Sequence, residues 1–305
     1  MKIVTGAFGY IGKYIARFLL KQGEKVRTIT THVNKPNPFG DFVRPFKYDF
    51  DKPDLLTEHL RGADTLYNTY WIRFPFDGQT FETALRNTEI LFSCASAAGV
   101  QKVVHISVTN ASVDSALPYY RGKGQQEAIL IKSGLDYSIV RPTLVFGKED
   151  ILVNNIGWLI RHFPFFPIFG DGTYRVQPVC VEDLARIARE ASQSPNGTTI
   201  DAIGPESFAF NQFVSLIIKT LNSKCRPVKF SPVLAIAIGK LLGLATGDVL
   251  LTRDELRGLM DNLLTSTQEP NGVVAFSDWL HEHRNDLGSS YSSEISRHFR
   301  WRRAA

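Results

Sequence analysis

For its first 145 residues the chain alternates between two hydrophobic periods. Short runs rich in β-branched residues read as strands: Lys2–Gly6 (KIVTG), Lys25–Thr30 (KVRTIT), Phe42–Phe50 (FVRPFKYDF), Ala63–Tyr70 (ADTLYNTY), Lys102–Val108 (KVVHISV) and Asp136–Pro142 (DYSIVRP). Between them apolar residues recur at helical spacing. Tyr10–Gly23, Pro53–Gly62, Phe81–Gly99 and a helix from Pro118 to near Gly134 all stop at glycine, a residue suited to ending helices. Strand and helix in regular alternation predict βαβ units, hence a doubly wound parallel sheet covered on both faces.

The rhythm changes after Gly147. Aromatics and prolines crowd Arg161–Gly172 (RHFPFFPIFGDG), Val181–Ala191 (VEDLARIAREA) is a clear helix, and from Phe208 onward the pattern is mostly helical, with loops at Ser266–Gly272 and Gly288. The expected division is a nucleotide-binding domain over 1–148, to which 175–204 returns, and a smaller, mostly helical substrate or lid domain made of 149–174 and 205–305. The apolar run Phe163–Gly170 (FPFFPIFG) walls a substrate pocket or fills the interdomain core; the pattern fits both. The segment Ser231–Leu251 is interrupted by Lys240, three glycines and Asp248, so it is not expected to span a bilayer. It fits lid core, a homodimer or protein-partner surface, or a membrane face. Its single cation argues against the last, and Leu241, Leu242 and Leu244 are expected to be buried.

Composition narrows the class. With 305 residues, 44% hydrophobic and 21% charged, the chain reads as a soluble globular protein. A net charge of +5 is modest, and outside the tail Arg297–Arg303 (RHFRWRR) it is not clustered, so nucleic acid is not an expected partner. Cys94, Cys180 and Cys225 are odd in number and lack ligand spacing, which points to reduced core thiols, no metal site and a cytoplasmic setting. Met1–Gly12 reads directly as a strand and a glycine turn rather than as a secretory signal.

The turn GAFGYIG puts Gly6, Gly9 and Gly12 between the first strand and the first helix. Glycines there allow a tight turn, close approach of a pyrophosphate and close helix–strand packing, while the helix N-terminus offers free N–H groups. The cofactor-binding candidates at this turn are the three glycines with Phe8, Tyr10 and Ile11. An NAD site carries an acidic residue about 20 residues further on. Here the second strand ends TITTHVNKP, with Thr30, Thr31, His32 and Lys35 and no acid. The expected cofactor is therefore NADP(H), with NAD(H) as the alternative.

With those residues in hand, the chain resembles the short-chain dehydrogenase/reductase superfamily, in its extended or atypical branch, which includes NmrA-like proteins and the accessory complex I subunit of this family. TGAFGYIG is similar to the branch's TGxxGxxG. Asp49-Phe50 resembles the turn that contacts adenine, Asn87 the helix asparagine of extended members, and Val103–Asn110 (VVHISVTN) the strand carrying the catalytic hydroxyl. Tyr119–Lys123 matches YxxxK, and Ile139–Gly147 (IVRPTLVFG), with Pro142 and Thr143, resembles the stretch near the nicotinamide. Asn68–Phe74 (NTYWIRF), led by Asn68 and Thr69, leaves the fourth strand and either lines the cofactor cleft or packs as a loop. The resemblance implies a Rossmann-type fold, Tyr119 as acid/base, Lys123 as its electrostatic partner and ribose contact, and a positioning hydroxyl at Thr109 with Ser107 behind it. The usual paired serines are absent, and the link from Thr109 to Tyr119 is short. Two functions follow: an NAD(P)H-dependent reductase or epimerase-like oxidoreductase acting on an unidentified small carbonyl or hydroxyl substrate, or a non-catalytic NAD(P)H-binding sensor or assembly subunit. His105, inside the fifth strand, reads as a core histidine.

Overall fold

The computed structural model describes residues 1–231, 247–249 and 252–298. The chain forms two compact units, Met1–Pro142 with Val181–Ala202, and Thr143–Cys180 with Ile203–Ala305.

The first unit is built on a seven-stranded sheet in the order β11-β6-β5-β4-β1-β2-β3. Its strands are β1 (Lys2–Thr5), β2 (Val26–Thr30), β3 (Val43–Lys47), β4 (Thr65–Asn68), β5 (Lys102–Ile106), β6 (Asp136–Pro142) and β11 (Thr198–Ala202), and every pairing is parallel. The central strands β4 and β5 are buried throughout, as expected of strands covered on both faces. Helix α1 (Tyr10–Lys21) packs on α6 (Val181–Ala191). Helices α2 (Pro53–Leu60), α3 (Phe81–Ala97) and α4 (Pro118–Lys132) pack on one another in series. Ile3, Ile29, Leu66, Leu91, Phe92, Val103, Leu130 and Ile139 belong to one apolar core. Because β1 pairs with both β2 and β4, the order reverses between β1 and β4. The crevice beyond the carboxyl ends of those two strands is where sheets of this kind bind ligands.

The strands end earlier than the hydrophobic pattern suggests, β3 at Lys47 and β5 at Ile106, because the residues beyond feed loops at the carboxyl end of the sheet. The division also differs from expectation. The chain returns to the first unit at Val181 rather than at 175, and residues 143–148 belong to the second unit. The cause is a local ladder: β7 (Leu144–Phe146) pairs with β10 (Pro178–Cys180) instead of extending the main sheet.

In the second unit, β8 (Phe165–Phe169) pairs in parallel with β13 (Arg226–Phe230), and β9 (Arg175–Val176) pairs antiparallel with β12 (Phe208–Ala209). The helices α5 (Leu152–His162), α7 (Phe210–Thr220), α8 (Arg253–Met260), α9 (Phe276–Glu282) and α10 (Glu294–His298) accompany these ladders. Phe166, Ile168 and Phe169 are buried with Phe146, Phe213, Phe276 and Trp279, so most of the aromatic run is core of this unit, while Phe165 is exposed. Leu241, Leu242 and Leu244 lie outside the described residues. Among the described residues no helix is long and apolar enough to cross a membrane.

An ion pair between a buried carboxylate and a half-buried guanidinium ties α4 to the sheet. Glu127 accepts two hydrogen bonds from the Arg141 guanidinium on β6, and one from Ser107 Oγ at 2.5 Å. Removing one partner of such a pair leaves an uncompensated charge and costs about 3 kcal/mol or more. Arg141→Leu should therefore lower the urea midpoint of the first unit strongly. Adding Glu127→Gln should recover part of the loss, because no unpaired charge then remains.

Candidate active site

The glycine turn follows β1 directly. Gly6 has φ +62°, a conformation that favours glycine. Its carbonyl accepts from Gly9 N at 2.8 Å, and its N–H donates to Ile29 O at 2.8 Å. Thr28 Oγ1 accepts from Ala7 N at 2.9 Å and donates to Val4 O at 2.8 Å, pinning the turn from the neighbouring strand. At Gly12 a Cβ would lie 2.8 Å from Gly6 C and 2.9 Å from Thr5 O, so only glycine lets α1 come this close to β1. Gly9 caps α1 in an extended conformation. No side chain satisfies the cap and no acid sits in the first turn, so the helix presents its N–H groups and positive end without a competing anion. These features fit a pyrophosphate. Phe8 is buried, while Tyr10 and Ile11 are half-buried at the start of α1.

Beyond β2, Thr30 is buried and its Oγ1 accepts from His32 N. Thr31 is exposed, and His32 and Lys35 are half-exposed in the turn that follows. Beyond β3, Asp49 and Phe50 are half-buried. Phe50 stacks on Tyr48 with centroids 5.0 Å apart and tilts against Tyr70 at 5.4 Å. Asn87 on α3 donates to the Tyr70 hydroxyl at 2.9 Å. These residues are brought to the carboxyl ends of β2, β3 and β4, where the resemblance places the adenosine half. Thr69 N donates to Thr5 Oγ1 at 2.7 Å, and Thr69 Oγ1 donates to Thr5 O at 2.6 Å.

Asn68 differs from its expected role. Its side chain is fully buried; Oδ1 accepts from Tyr70 N at 3.0 Å and Thr5 Oγ1 at 3.3 Å, and Nδ2 donates to His105 Nδ1 at 3.1 Å. A fully buried amide engaged at both ends holds the exit of β4. His105 is accordingly a core residue, and burial, with the Lys123 charge adding to it, holds its imidazole well below the usual range.

Helix α4 starts at Pro118, which suits a first helical position. Tyr119, Lys123 and Glu127 follow at four-residue spacing and share one stripe. Tyr119 is half-buried, whereas Tyr120, one residue out of register, is buried. Lys123 is 3% exposed. Its Nζ donates to Ile106 O at 2.9 Å, at the end of β5, and to Gln126 Oε1 at 3.1 Å. Burial pushes its ammonium down to about 7, partly offset by the charge of Glu127.

The two candidate hydroxyls separate. Ser107 N donates to Val140 O and Thr109 N to Pro142 O, so both continue the ladder beside β6 on one face. Ser107, however, is bound to Glu127, which removes it from the reacting position and makes it part of the Glu127–Arg141 anchor. Thr109 lies further out and is buried. Pro142 closes β6, and Thr143 is a buried residue of the second unit.

Sequence reasoning left Trp71 undistinguished within its segment and passed over Gly122 and Gly124. Trp71 stacks on Phe81 with centroids 5.4 Å apart, meets Tyr119 edge-on at 6.5 Å, and has Lys123 Nζ 5.3 Å from its ring centre. A Cβ on Gly122 would lie 2.6 Å from Trp71 Cζ2, and one on Gly124 would lie 2.8 Å from Ser112 Cα. Glycine inside a helix costs about 1 kcal/mol relative to alanine. Two of them in YYRGKGQQE were the available signal that loops press closely on this helix.

Residues 6–151 match a family model described as NAD(P)H-binding. Among curated proteins, the chain is 26% identical over 240 residues to the mitochondrial NADH dehydrogenase [ubiquinone] 1 alpha subcomplex subunit 9 of Arabidopsis thaliana. That alignment covers 74% of this chain and 59% of the relative, so the chain spans about three fifths of that relative's length. It is 25% identical to the Rattus norvegicus protein of the same name, over 88% of this chain and 73% of the relative. Among solved structures, an NADPH-dependent quinone oxidoreductase of Escherichia coli complexed with NADPH superposes with a TM-score of 0.76 at 19% identity, over 94% of this chain and 99% of that one. The glycine turn, the reversed strand order and these likenesses together support the resemblance to the extended, atypical branch of the short-chain dehydrogenase/reductase superfamily.

Proposed function

We propose that the chain is an NADP(H)-dependent oxidoreductase of the short-chain type, acting on a small carbonyl or hydroxyl compound. The observation that carries this reading is the placement of Tyr119 and Lys123 at four-residue spacing on α4, with the lysine bound to the last carbonyl of β5, beside the point where the strand order reverses. The nicotinamide, when bound, supplies or accepts the hydride. The glycine turn and the free N–H groups of α1 would hold the pyrophosphate. Thr31, His32 and Lys35 would receive a 2′-phosphate, which no acidic residue at the end of β2 opposes. Tyr119 gives a proton to the substrate oxygen in reduction and takes it back in oxidation. A neighbouring ammonium favours its phenolate and brings its affinity for the proton nearer to neutrality. Thr109 is the remaining hydroxyl suited to position the substrate oxygen.

A second reading has support of its own. The curated relatives are named as subunits of a mitochondrial NADH dehydrogenase, and Lys123 is closed off under Trp71. Both favour a subunit that binds NAD(P)H without turnover and docks on protein partners.

Titration calorimetry should find NADPH bound at least about tenfold tighter than NADH, the value of one charge-assisted contact to the extra phosphate. Equal affinities would remove the NADP preference. Tyr119→Phe should bind NADPH normally yet lose its oxidation against a panel of carbonyl compounds by about a hundredfold or more. Turnover that survives this substitution would exclude the tyrosine mechanism, and binding without turnover in the unaltered chain would favour the subunit reading.

Lys123 makes a separate prediction about pH. Its folded value of about 7 lies below the 10.5 of a free lysine, so across that window the folded chain binds fewer protons than the unfolded one. Stability should then rise with pH between about 7 and 10.5, by up to about 1.4 kcal/mol per pH unit, and this contribution should be flat below 7. Urea titrations at several pH values should show that slope, and Lys123→Met should remove it.

A further inference from the structure

Lys123 has three neighbours that occupy its ammonium: Ile106 O, Gln126 Oε1 and the face of Trp71. A lysine this enclosed cannot donate to a sugar hydroxyl until one of them yields. Ile106 O belongs to the backbone of a fully buried central strand. Gln126 is fully buried and locked from its other end, where Nε2 donates to Tyr70 O at 3.1 Å and Thr88 Oγ1 at 2.7 Å. Trp71 is different. It is half-exposed and stands in the loop between β4 and α3, and among the described residues its ring meets Phe81, Tyr119 and the Lys123 ammonium. Its buried indole N–H finds no hydrogen-bond partner among the described residues. A buried donor without a partner is a cost that departure relieves. Gly122 supplies the seat, since any side chain there would meet the benzo edge of the indole.

We propose that Trp71 is a positioning residue that latches Lys123, and that the nicotinamide half of a dinucleotide gains the lysine only when the indole leaves its seat on Gly122. The proposal rests on the dinucleotide reading above. The adenosine half engages the glycine turn and the ends of β2 and β3, away from Trp71, so it binds whether the latch is shut or open. The nicotinamide half must displace an ammonium–indole contact, which takes back about two- to thirtyfold of the affinity. Swinging Trp71 out also releases Phe81, at the start of α3, and the edge of Tyr119, so the same movement exposes the acid/base and its electrostatic partner together.

The test labels the full chain with 5-fluorotryptophan and follows its four tryptophans by 19F NMR, with the Trp71 resonance identified by its loss in Trp71→Phe. NADPH should shift that resonance, whereas 2′,5′-ADP, which lacks the nicotinamide half, should leave it in place. Trp71→Ala should bind NADPH about two- to thirtyfold tighter and 2′,5′-ADP unchanged. Gly122→Ala, whose methyl evicts the ring, should act in the same direction. Acylation of Lys123, read by peptide mass spectrometry, should be faster in Trp71→Ala than in the unaltered chain. If Trp71→Ala fails to fold, Trp71→Leu carries the same comparison. NADPH bound with a still Trp71 resonance, or a variant that changes both ligands' affinities by one factor, overturns the latch while leaving the dinucleotide reading intact. Failure of both the unaltered chain and the variants to bind either ligand overturns the dinucleotide reading and the latch with it.

Discussion

A lysine ammonium taken out of water organises the carboxyl end of the first unit's sheet. Enclosing a charge is costly unless each of its donors is met, and much of the surrounding structure meets that demand. The end of β5 contributes a carbonyl, Gln126 contributes an amide oxygen and is itself braced by Tyr70 and Thr88, and Trp71 lays its ring across the remaining side. Glu127, one helical turn on, balances the charge and is held in turn by Arg141 and Ser107. The helix that carries the candidate acid/base is thereby fixed to two neighbouring strands by polar contacts rather than by apolar packing alone.

Close approach is the second constraint, and glycine provides it in two places. Gly12 lets the first helix press on the first strand, which brings the helix N-terminus to the crevice where the strand order reverses. Gly122 and Gly124 do the same for the loops that cross α4. In both places a helix tolerates a poor helix former so that another segment can come within contact distance, and both places lie beside the residues that would handle a dinucleotide. The first pair of surfaces is shaped for an anion; the second is shaped around the chain's own tryptophan.

The second unit follows other rules. Its apolar run closes on itself as a core of phenylalanines and tryptophan, with short two-stranded ladders between helices. Phe165–Phe169 and Arg226–Phe230 lie outside the regular strand–helix alternation of the first unit, and each contains a proline, which weakens a strand reading.

The sequence by itself determined the βαβ alternation, the glycine turn and the Tyr119–Lys123 spacing, because each is a local pattern: a hydrophobic period, a backbone conformation only glycine adopts readily, or a repeat of one helical turn. It also determined the want of an acid after β2, a plain matter of residue identity. Tertiary structure alone decided which side chains are already engaged. Ser107 and Asn68 read as site residues from their positions along the strands, yet Glu127, itself held by Arg141, claims the first, and Thr5 and His105 the second, through contacts between residues 20 to 63 apart in the chain. Trp71 stood in a loop of no distinct period, and its seat on Gly122 exists only once the loop after β4 meets α4. Hydrophobic period records which face of an element turns inward; which polar groups then meet there depends on segments that the period does not relate to one another.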